Sequence, residues 1–140
     1  MTATTSDRNT YRQYIQRQIG PIPLTAATDI ANGVMAMVIS GTGTLLNAAD
    51  TAGGIMMGLT TQPVTYAGGD RVGIVERGAY WMAQDGTITA AHIGMPCEVK
   101  DNQTVSLTTT TNHVVAGYIE GVDAALGVLV AMLGGKIAAA

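Results

Sequence analysis

The chain has 140 residues, enough for one domain with a sizeable core but not for two full ones. Only 12% of its residues are charged, 18 are glycine, and the formal net charge of −3 argues against a nucleic-acid binder that relies on phosphate contacts. Cys97 is the only cysteine, no apolar segment follows a basic start, and the longest apolar run (124–135) is too short for a membrane helix of roughly 20 residues. A soluble protein of a reducing compartment, without a disulfide framework, is expected.

The charge is unevenly placed. Residues 1–20 hold Arg8, Arg12 and Arg17 against Asp7, while the rest of the chain holds four basic side chains against nine acidic ones. Within residues 6–19, Tyr11, Tyr14, Ile15 and Gln18 fall at helical spacing, with Ser6 or Asp7 available as a cap, so a short helix is allowed. Gly20-Pro21-Ile22-Pro23 would end it, because two prolines two apart favour extended backbone. A disordered terminus is one reading. The other is an arm that reaches a neighbour and orders there. Two tyrosines, two isoleucines and three arginines within 8–19 are richer in contact groups than a solvated tail needs, so residues 1–32 are read as arm and linker.

From there on the pattern is of short strands. Residues 33–39 and 43–48 read as a hairpin through Ser40-Gly41-Thr42, and 55–61 as a further strand. Residues 71–76 and 78–82 read as a hairpin around Arg77-Gly78, with Val72 and Ile74 inward. Residues 89–94 look like one helical turn capped by Thr89 and closed by Gly94. Four strands then follow, 97–100, 104–107, 114–122 and 126–133, parted by the turn-prone Asp101-Asn102-Gln103, the threonine run 108–112 and Asp123-Ala124-Ala125. In the last strand Leu126, Val128, Val130 and Met132 line one face while Leu129, Ala131 and Leu133 make the other apolar too, so it is expected inside a closed barrel or under another subunit. About nine short strands at close spacing imply an all-β fold. The expectation is one small barrel or sandwich-like domain over 33–133, with one helical turn, an extended N-terminal arm and a C-terminal tail at 134–140.

Chemistry is sparse. His92 and His113 lie near no second ligand in sequence and are read as structural or exposed. Cys97 could act as a nucleophile with His113, but it sits mid-strand in an apolar pattern, where cysteine is usually a small core residue. Gly41-Thr42-Gly43 lacks the third glycine of a dinucleotide fingerprint, and Gly68-Gly69-Asp70-Arg71 lacks the ending of a phosphate loop. Asn102-Gln103-Thr104 matches a glycosylation sequon but reads as a hairpin turn. Asp50, Asp70, Asp85, Asp101 and Asp123 sit where aspartate makes turns, with a loop calcium site the lesser reading. No enzyme, no cofactor, no metal, no nucleic acid and no membrane partner is expected.

The order of features resembles the small head decoration (capsid cement) proteins of tailed bacteriophages. The segments that carry it are VGIVERGAYWMA (72–83), ITAAHIGMPCEVKDNQTVSL (88–107) and VAGYIEGVDAALGVLVAM (115–132). The resemblance implies a non-enzymatic virion protein on the outer capsid surface, present in host cytoplasm during assembly, that clamps neighbouring major capsid subunits as a homo-oligomer, a trimer rather than a dimer. Arg8, Tyr11, Arg12, Tyr14, Ile15, Arg17 and Ile19 are then the candidate capsid contacts, and Leu126, Val128, Leu129, Val130 and Met132 the candidate oligomer interface. A carbohydrate- or host-surface-binding module is the alternative. It would use Tyr66, Tyr80 and Trp81, the aromatic side chains of the body that a loop site could draw on.

Overall fold

The computed structural model describes residues 3–8, 10, 12–108 and 110–132, with backbone alone for 12–17. Among them are eleven strands and one 3-10 turn. They are β1 (Arg12–Pro23), β2 (Asp29–Ile30), β3 (Met35–Ile39), β4 (Leu45–Asn47), β5 (Gly54–Thr60), β6 (Val64–Thr65), β7 (Val72–Gln84), β8 (Pro96–Val99), β9 (Thr104–Ser106), β10 (Val115–Asp123) and β11 (Gly127–Ala131), with the turn at Ala90–His92. The all-β expectation holds.

The long strand β7 organises the molecule. Its second half closes a five-stranded barrel in the order β7-β9-β8-β10-β11 and back to β7. Its first half carries β1 along one edge and β5 along the other, and β5 leads on to β3 and β4. No hairpin forms at Arg77-Gly78; β7 runs through for 13 residues, and Val72 and Ile74, expected inward, are exposed. The glycine there is a site of close approach and not a turn, since Gly78 pairs with Ile15 of β1 and its carbonyl accepts the Met132 N–H at 2.8 Å.

Two apolar clusters fill the molecule, and β3 separates them. Met35 and Met37 face the barrel cluster with Met56, Leu59, Tyr80, Met82, Cys97, Val105, Ile119, Val128, Val130 and Met132. Ala36 and Val38 point the opposite way, into a second cluster with Ile22, Leu24, Ile30, Leu45, Val64 and Val75. Burial on both faces is why the β3 sequence Met-Ala-Met-Val-Ile is continuously apolar. The core has no phenylalanine; methionines, which adapt to irregular gaps, take that volume. The second cluster also moves the domain boundary. Ile22, Leu24, Ile30 and Ala31 are buried, so residues 1–32 are not an arm and linker throughout, and the barrel expected at 33–133 takes its support from Ile22 onward. Leu133 and the expected tail at 134–140 lie outside the described residues.

Candidate functional site

The N-terminal segment is neither a helix nor a tail free of the body. Residues 4–8 and Thr10 lie across the body as a strap, and β1 then pairs antiparallel with β7 from Arg12↔Tyr80 to Pro23↔Val72. The strap is held by polar bonds. The Asn102 carboxamide accepts the Thr4 N–H at 2.8 Å and donates to the Thr4 carbonyl at 2.9 Å. The Asp7 carboxylate accepts the Asn32 N–H at 2.9 Å, and the Arg8 N–H donates to the Asn32 carbonyl at 2.8 Å. Thr10 donates its hydroxyl to the Gly33 carbonyl at 2.6 Å. Gly33 has φ +75°, and a Cβ there would lie 2.1 Å from the Arg8 carbonyl oxygen, so only glycine admits the strap.

These placements revise the candidate contacts. Arg8 is not held out for a partner. Its guanidinium donates to the Thr10 hydroxyl at 2.6 Å and the Trp81 carbonyl at 3.4 Å, and burial lowers its pKa from the usual value. Ile19 packs, partly buried, against the second cluster. Arg12, Tyr14, Ile15 and Arg17 are placed by backbone register opposite Tyr80, Ala79, Gly78 and Arg77. Tyr11 lies outside the described residues.

The last strand is corrected more sharply. Val128, Val130 and Met132 are fully buried inside this chain's own barrel, so they cannot face another subunit. Of the two environments its apolar pattern allowed, the closed barrel is the one observed. Leu126 is 40% exposed at the β10–β11 turn, and Leu129 is half-buried on the outer face, where it pairs with Trp81. A Cβ added at Gly121 would meet Trp81 and Leu129 at 3.3 and 3.4 Å, so this glycine lets the two side chains lie over the barrel wall. Among the other aromatics, Tyr80 is buried and donates to the Glu76 carboxylate at 3.0 Å, and Tyr66 lies 3.8 Å beneath the Arg71 guanidinium.

One ionisable cluster was not foreseen. Glu98 alternates with Cys97 and Val99 on β8 and so points out of the barrel, yet it is buried beneath the loop that follows β9. It accepts the Thr110 hydroxyl at 2.6 Å and lies 2.9 and 3.1 Å from His113 Nδ1, which therefore donates. His113 holds φ +54°, a conformation such a residue seldom adopts unless its surroundings impose it. Asp50 fixes the same loop by accepting the Thr111 and Asn112 N–H groups, both at 2.8 Å. Beside the pair lies a cavity of ≈ 230 Å³ with Met95, Pro96, Leu107 and Val115 in its walls. Strand alternation could have put Glu98 on the outer face; nothing local in the sequence says that His113 returns over it.

Cys97 does not join this pair. It faces the barrel interior, and burial, then the Glu98 charge, push its thiol up to about 12, which removes the thiolate needed for nucleophilic chemistry. His92 accepts the Thr89 N–H at 3.0 Å and so closes its own turn. The loop aspartates act as turn-makers: Asp70, Asp85, Asp101 and Asp123 accept N–H groups of Thr65, Thr87, Gln103 and Ala125. Among the described residues no group of three or more His, Cys, Asp or Glu side chains is placed to hold a metal ion. No family model matches the chain, and neither does any curated protein or solved structure.

Proposed function

We propose that this chain is a non-enzymatic virion structural protein that binds the outer surface of a phage capsid and stabilises contacts between major capsid subunits. One observation carries the reading. The three segments that resemble head decoration proteins, 72–83, 88–107 and 115–132, supply all five strands of the closed barrel. The resemblance therefore follows one folding unit and is not scattered across several. In this reading Arg12, Tyr14, Ile15 and Arg17 on β1 are the capsid contacts, and the outer patch of Leu126, Leu129 and Trp81 faces another copy. A homo-oligomer, a trimer before a dimer, adds avidity to modest single contacts.

Co-sedimentation of purified protein with expanded, undecorated phage capsids is the test. Saturable binding at a copy number tied to the shell's symmetry is expected. Arg12→Glu with Arg17→Glu is expected to weaken it about tenfold or more, roughly 1.4 kcal/mol. Absence of binding to every capsid form would discard the reading.

A further inference from the structure

Residues 4–8 and Thr10 are held as a ligand is held. Each anchoring bond reaches a residue distant in the chain: Thr4 to Asn102, Asp7 and Arg8 to Asn32, Thr10 to Gly33. None of these bonds requires strap and groove to be covalently continuous. The groove reads backbone. The Asn102 side chain pairs with both the N–H and the C=O of Thr4, as a neighbouring strand would, and Gly33 is bare where the Arg8 carbonyl comes close.

The root of the arm is built to pivot. The β1–β7 ladder is interrupted between Ile19 and Ile22, where Gly20 holds φ +136° and Pro21 has no N–H to give. Sixteen residues, the number from 4 to 19, reach about 53 Å when pulled out at ~3.3 Å each, which exceeds the ~30 Å width of a small domain.

We propose that residues 4–19 exchange between copies of this chain, the strap of one lying in the Asn32–Gly33–Asn102 groove of the next. The same bonds form within a chain or between chains, so exchange costs little beyond the entropy of association. The occupant is fixed by fit: a segment that offers backbone groups where Thr4 and Arg8 do, a carboxylate where Asp7 does and a hydroxyl where Thr10 does, which this chain itself carries. The inference needs only a second copy and does not depend on the capsid reading.

Thr5 and Thr65 are exposed and line one cavity of ≈ 350 Å³, Thr5 on the strap and Thr65 on the body. Full-length Thr5→Cys and Thr65→Cys chains, unfolded together, refolded and treated with a short bismaleimide, should give a covalent mixed dimer. Wild type, whose thiol is buried, is the blank. Thr5→Cys mixed with Thr42→Cys, exposed at the β3–β4 turn, should give no dimer. A chain that carries both Thr5→Cys and Thr65→Cys is the double variant, and the proposal is overturned if it cross-links only within itself and the mixture gives no dimer. It is overturned equally if the double variant does not cross-link at all, or if the Thr42 control dimerises as efficiently.

Discussion

β11, a strand of the barrel, and the N-terminal strap are held to the molecule by opposite means. β11 buries Val128 and Val130 completely in a cluster that also receives Met132 from just beyond its end. The strap contributes bonds from Thr4, Asp7, Arg8 and Thr10, and Ala3, Thr5, Ser6 and Asp7 are exposed. Apolar burial is worth ~1.5–3 kcal/mol per large side chain, whereas a hydrogen bond exchanged with water nets ~0.5–1.5 kcal/mol. One segment is therefore part of the fold, and the other is fastened to it and can open by itself.

Two substitutions test that contrast. Val130→Asp places a carboxylate among the apolar side chains of the barrel cluster and should cost more than about 4 kcal/mol. The expected outcome is loss of a cooperative thermal transition by circular dichroism; a folded variant would show that the barrel admits water. Gly33→Ala should act on the strap more than on the body. It sets a Cβ 2.1 Å from the Arg8 carbonyl and places alanine at φ +75°, at roughly 1–2 kcal/mol for the left-handed backbone. Trypsin should then cut after Arg8 much faster than in wild type, while the main thermal transition shifts by only a few degrees. Equal protection of Arg8 in both proteins would mean that the strap is not seated on Gly33.

The same contrast explains what could be read from the sequence. The strands of the barrel were legible because apolar alternation and turn residues report local physics: Asp101, Asp123 and the Thr89 turn fall where expected. β11 exposed the limit of pattern. A strand apolar on both faces says that both are covered, not by what, and Val128 and Val130 proved to be covered by their own chain. Gly78 misled because a glycine marks a turn and a close backbone approach with the same letter. The 6–19 segment carried a helical spacing that pairing with β7 overrode. The strap and the Glu98–His113 pair were illegible for a common reason. They join residues 98 and 15 positions apart through single polar contacts, which leave no periodicity behind.

The smallest expected effect concerns a turn that resembles the strap in being polar yet belongs to the barrel side. Burial pushes the Asp85 carboxyl up, but hydroxyls of Thr87 and Ser106, the Thr87 N–H and Lys100 outweigh it and hold the group at about 2. An unfolded chain releases that proton near pH ~3.9, so the folded state prefers the carboxylate. The stabilisation is complete above pH ~4 and is lost as pH falls through about 2. Asp85→Asn should therefore unfold at lower urea than wild type at pH 7, with the gap closing between pH 4 and pH 2. Asp50 and Asp123 are also held low by N–H donors, but they are common to both proteins and cancel in the difference. A gap that stayed constant with pH would assign the loss to packing and not to the charge. A gap that closed would show that acid loosens this turn through the Asp85 carboxylate.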